Sequence, residues 1–181
     1  MSESSASREL RNPELLGVYC NDHLASATGG VELVRRMIGT HRNGPYESRL
    51  HTLLSQLLEE RTALRSMMAA LDLEVRAYKQ LASWTGEKLA RLKLNGHLLS
   101  RSPLSSVVEF EFIATAVLGK RSGFETLREI ADVDSRLDAA ELDRLIAQAN
   151  QQHEWLTEAR REIAAGVWGG RAEAASEAAQ R

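Results

Sequence analysis

Residues 46–72 read YESRLHTLLSQLLEERTALRSMMAALD, and this stretch decides the fold. Leu50, Leu53, Leu57, Leu64, Met67 and Leu71 recur at spacings of three and four, which lays one apolar stripe along a helix of about 3.6 residues per turn. One member of the series is missing. Position 60, where an apolar side chain would continue the stripe, is Glu60, and it is the leading candidate for a buried carboxylate. Its neighbour Glu59 falls on the outer face, where a solvated charge is expected.

Upstream, the same period runs through Leu16, Cys20, His23, Ala27, Val31, Val34 and Ile38, so residues 13–40 form a first long helix with His23 on its apolar face. Asn12 is read as its N-cap, Pro13 suits the first helical position, and Glu14 suits the positive end of the helix dipole. Gly29 and Gly30 sit in the middle, and each glycine costs about 1 kcal/mol relative to alanine inside a helix. Such a pair implies close approach of another helix or a local break. The run from His41 to Pro45 stops the helix and turns the chain into the second.

Downstream, residues 74–94 read as a further helix carrying Val75, Tyr78, Leu81, Trp84, Leu89 and Leu92, predicted to cover one flank. Ser102 and Pro103 then open a third long helix, 103–131, whose apolar residues from Leu104 to Leu118 cover most of its circumference. Glu109 and Glu111 lie within that run, and a carboxylate facing protein needs a cation, hydrogen bonds or a proton. Asp138, followed at the third position by Glu141 and preceded by Leu137, opens a fourth long helix, 138–165, as a variant of the capping box. Its inner face runs through Leu142, Leu145 or Ile146, Ala149, Gln152 or His153, Leu156, Ala159 and Ile163, so its midpoint is polar. Three parts follow: a disordered arm at 1–11, one helical domain at 12–167, and a flexible tail at 168–181 poor in large apolar residues.

The order is a helical hairpin, a connection of about thirty residues, and a second hairpin; a connection that long returns the chain along the whole bundle. With acidic and histidine residues near the middle of otherwise apolar stripes, residues 12–165 resemble the ferritin-like superfamily in topology. The resemblance implies an all-α, antiparallel four-helix bundle with a long helix-containing crossover. It also implies a metal centre, because members commonly hold two metal ions with a Glu on each of two helices and Glu-x-x-His on the other two. Here the pattern departs. Glu60 is followed three residues later by Ala63 and Glu59 by Thr62, while Glu154 is followed by Thr157 and Glu158 by Arg161. Both histidines are missing, so a di-iron centre is not expected.

The remaining candidate ligands are Glu60, Glu109, Glu111, His23 and His153. Counting from the loops puts Glu60 level with about residue 26 of the first helix, and Glu109 and Glu111 about 15 Å away along the bundle at 1.5 Å per residue. One level then holds His23, Glu60 and His153; the other holds Glu32, His51, Glu109 or Glu111, and Glu158. Three or four mixed nitrogen and oxygen ligands could hold one Fe, Mn or Zn ion. The competing reading makes His23 and His153 packing residues and pairs Glu60 with Arg61 or an arginine of a neighbouring helix. His51 pairs with Glu47 four residues earlier, and Cys20 reads as a small buried hydrophobe.

Composition narrows the classes. With 43% hydrophobic residues in 181, the chain supports one core, and a net charge of −2 offers no general attraction to nucleic acid. The local basic stretch Lys88, Arg91, Lys93, His97 and Arg101 reads as a solvated face, since it lacks interleaved aromatics. No apolar run approaches the roughly 18 residues of a membrane span, the N-terminus has no signal-like apolar segment, and Cys20 is the only cysteine. A soluble, cytoplasmic protein is expected, and its Arg-rich, Ala-rich usage fits a GC-rich bacterial genome. P-loop, dinucleotide-glycine, Gly-x-Ser-x-Gly and paired-cysteine zinc motifs are all missing from the sequence. Two functions follow. The first is a non-enzymatic bundle acting through homo-oligomeric assembly or partner binding, motivated by Leu15, Tyr19, Leu33, Met37 and Trp155 lying outside the main stripes. The second is an atypical metal-binding protein acting in oxidative stress or metal handling.

Overall fold

The computed structural model describes residues 12–76 and 103–169, and all regular structure among them is helical. Four helices follow in order: α1, Pro13–Thr40; α2, Glu47–Ala70; α3, Pro103–Ala131; and α4, Ala139–Trp168. The predicted segments match these bounds closely, because each stripe has a uniform helical period over many turns. Among the described helices none is long and apolar enough to cross a membrane. Most of the predicted flank helix at 74–94, the cap Ser102, the basic stretch, the arm at 1–11 and the tail from 170 lie outside the described residues; 73–76 are not helical.

The helix ends show which local signals act. Asp138 caps α4 as read from sequence, its Oδ1 accepting from the amides of Ala140 (2.9 Å) and Glu141 (3.2 Å). Glu141 does not close the box; its carboxylate is held by Arg144. Asn12 takes the N-cap position read from sequence but does not cap with its side chain. Its backbone is left-handed (φ 103°) and its side chain makes no cap bond, since an N-cap needs an extended backbone to aim its side chain at the second or third amide. Only its carbonyl joins the helix, accepting from Leu16. Between α1 and α2, Asn43 adopts φ 60° and donates its amide to Glu47 Oε2 at 2.7 Å, which fixes the turn at the start of α2.

The helices pack on one another through two apolar clusters. One joins Val31, Val34 and Met37 of α1, Leu50, Leu53 and Leu57 of α2, Phe110, Ile113 and Val117 of α3, and Trp155 and Leu156 of α4. The other joins Cys20 and Leu24 of α1, Leu64, Met67 and Met68 of α2, Phe124 and Leu127 of α3, and Leu142 and Leu145 of α4. Full burial of a side chain of this size contributes about 1.5–3 kcal/mol, so these clusters carry the stability of the bundle. Leu33, Met37 and Trp155 belong to the first cluster and are buried, which corrects their reading as outward-facing assembly residues. A helix flanked by two others buries a wider arc than one stripe. Leu15 remains exposed.

Two polar anchors tie the segments between helices. The side chain of Asn21, buried on α1, donates to the carbonyls of Gly17 (2.7 Å) and Glu74 (2.9 Å) and accepts from the Arg76 amide (2.8 Å), holding the chain that leaves α2 against α1. Arg136 pairs with buried Asp134 at 2.7 Å and with Asp72 at 3.2 Å, joining the turn after α2 to the turn between α3 and α4. Hydrogen bonds from the Arg136 side chain and amide, with its charge, hold the Asp134 carboxyl below the usual carboxylate range against the opposing effect of burial.

Candidate functional site

The gap that Glu60 makes in the α2 stripe becomes a polar layer between the two apolar clusters. Glu60 lies between Leu57 and Leu64 and is 2% exposed. On α3 the equivalent place between Val117 and Phe124 holds Lys120, and on α4 the place between Ala149 and Leu156 holds Gln152. Lys120 Nζ donates to Glu60 Oε2 and to Gln152 Oε1. Glu60 Oε1 accepts from Gln148 Nε2 at 2.8 Å and Gln152 Nε2 at 2.9 Å, and Gln152 also donates to Gln56 at 2.9 Å. Every polar group of this buried carboxylate is thus matched, which is the condition for holding a charge in a low-dielectric core. Burial pulls the Lys120 ammonium below its ordinary pKa, and the charge and hydrogen bond of Glu60 act against that shift.

Arg61 is therefore not the partner of Glu60. It follows Glu60 directly in sequence, and adjacent helical residues point away from each other, whereas Lys120 projects from a facing helix. The sign of the charge was legible in α2; the identity of its partner was not. Lys120 stands three residues after Val117 and four before Phe124, so the rule that exposed Glu60 would also have exposed Lys120.

The other candidate ligands are dispersed. Glu109 is buried and accepts from Arg36 Nη2 at 3.1 Å. Glu111 is exposed, 4.0 Å from Arg160 Nη1. His23 lies on α1 with its ring edge-on to Tyr19, and His153 is 3.5 Å from the Thr157 hydroxyl on its own helix. Among the described residues no group of three or more His, Cys, Asp or Glu side chains is arranged to hold a metal ion. The donor chemistry around Glu60 does not suit a di-iron centre either: three glutamines and an ammonium stand where such a centre needs carboxylates and imidazoles.

Between α1 and α3 a cavity of about 290 Å³ leads to this layer. Its walls are mostly apolar, from Leu33, Phe112, Val117, Phe124 and Leu127, and Glu60 and Lys120 also line it. Glycines from both helices leave the space. A Cβ on Gly119 would meet nothing within 4 Å, while one on Gly123 would lie 2.9 Å from the His23 ring. The close approach suggested by Gly29 and Gly30 is therefore tightest at Gly123, and α1 runs unbroken through the glycine pair. Burial lowers the His23 pKa, opposed by the charge of Asp22, and it raises that of the neighbouring Cys20 to about 11. The chain matches no protein-family model, no curated protein and no solved structure in these comparisons.

Proposed function

We propose that this chain is a ferritin-like four-helix bundle whose centre is organised by a protein cation in place of metal ions, and that it acts without catalysis, through self-assembly and partner binding. The carrying observation is the Glu60–Lys120 pair with Gln148 and Gln152, which occupies both oxygens of the carboxylate best placed to ligate a metal.

The connectivity is supported by how contacts progress along the helices. From Tyr19–Thr126 to Arg36–Glu109 the number rises on α1 and falls on α3; from Tyr46–Glu162 to Gln56–Gln152 it rises on α2 and falls on α4. Arg121–Asn150 and Arg128–Asp143 run the same way for α3 and α4. Neighbouring helices with opposed directions need the chain after α2 to return the length of the bundle before α3, which is the ferritin-like route. Exposed Leu15 and Val18, neighbours on one face of α1, support contact with a second copy.

The test joins metal analysis to light scattering. Protein purified without chelator and then offered Fe(II) or Zn(II) should retain less than one ion per chain, and its scattering mass should be that of a dimer or larger. Stoichiometric metal lost in Glu60→Ala would overturn the first half, and a monomer at every concentration would overturn the second.

A further inference from the structure

We propose that the cavity between α1 and α3 binds an uncharged apolar molecule carrying one hydrogen-bond-accepting oxygen, seated with that oxygen on the Lys120 ammonium. The inference goes beyond assembly and does not depend on the ferritin-like reading. The space measures about 290 Å³, opens to solvent beside exposed Phe112, and is walled mostly by apolar side chains with a few polar groups, the usual make-up of a small-molecule site. Size and wall chemistry therefore favour a hydrocarbon body.

The polar end is defined by Lys120. An ammonium has three N–H donors; two go to Glu60 and Gln152, and among the described residues the third has no acceptor. Lys120 lines the cavity, so an oxygen entering along the apolar walls can take that donor. Charge decides what kind of oxygen. Glu60 already balances Lys120, so a carboxylate headgroup would bring a second negative charge beside Glu60, whereas an alcohol or ketone oxygen adds none. Arg61 also lines the cavity and is the competing seat for an anion.

The experiment is isothermal titration calorimetry of octanol and octanoate against the full chain at neutral pH. One octanol per chain is expected, with octanoate about tenfold weaker or more, because its charge would sit beside that of Glu60. Gly119→Leu, which projects a side chain into open space, should abolish octanol binding while its circular dichroism remains that of the parent and its melting temperature does not fall. Lys120→Met, where it folds, should weaken octanol binding about tenfold or more, the scale of one hydrogen bond to a charged group, without strengthening octanoate. Octanoate binding as tight as octanol would move the site to Arg61 and overturn the proposal. So would no octanol binding at all, or octanol binding that survives Gly119→Leu.

Discussion

Glu60 and Lys120 are each other's counter-charge in the middle of the bundle, joined across facing helices and sealed by Gln148 and Gln152. Removing one member of a buried pair strands the other, a loss of about 3–5 kcal/mol. Lys120→Met should fall by that amount in urea denaturation. Glu60→Gln combined with Lys120→Met should recover most of it, because no charge is left without a partner. Equal stabilities for the single and double variants would show that the two residues do not act as a unit.

Gly119 and Gly123 are four residues apart on α3 and should respond oppositely to alanine. Nothing lies within 4 Å of a Cβ at 119, so Gly119→Ala should stabilise by about 0.5–1 kcal/mol through helix propensity. At 123 the Cβ would lie 2.9 Å from the His23 ring, which must shift and disturb its edge-on contact with Tyr19. Gly123→Ala should therefore lower the melting temperature, and His23→Ala in the same chain should relieve the added loss. A stabilised Gly123→Ala would contradict the observed packing.

His23 sets an acid limit. Its folded pKa lies below 6.5 because burial disfavours the imidazolium, so as pH falls the unfolded chain takes the proton first. The stability contributed by neutral His23 is whole above pH 6.5 and is lost as pH falls through the folded value. Melting curves from pH 8 to pH 5, against His23→Gln as reference, should show a steeper acid loss in the parent. Parallel curves would remove His23 from the acid response.

Cys20 should be chemically silent in the folded chain. Burial raises its pKa to about 11 and leaves the residue 1% exposed, so little thiolate forms at pH 8 and reagent cannot reach it. Labelling with a disulfide reagent should be slow until denaturant unfolds the bundle, then complete. Fast labelling of native protein would show that α1 opens locally at this position.

Much of the architecture was written in single stripes. The period of Leu50 to Leu71 on α2 and of Leu16 to Ile38 on α1 placed both helices within a few residues, because helical burial repeats locally and needs no knowledge of the partner. Glu60 was visible for the same reason: a charge in an otherwise apolar row stands out within its own helix. Leu33, Met37 and Trp155 were misjudged because one stripe does not report how many neighbours a helix has. Asn12 was placed correctly at the N-cap, but its side-chain bond does not form because residue type does not guarantee the backbone conformation that aims it.

By itself, the amino-acid order determined that four long amphipathic helices would form, that one turn would follow Thr40, that Asp138 would cap the last helix, and that a carboxylate would be carried into the core at position 60. Which groups meet that carboxylate was decided only by the tertiary structure. Lys120 is sixty positions from Glu60, and Gln148 and Gln152 are eighty-eight and ninety-two positions away, so their meeting depends on the rotation and register of whole helices. The cavity has the same origin: glycines on α1 and α3 only weaken either helix taken alone, and become a space leading to Lys120 when the two faces are brought together.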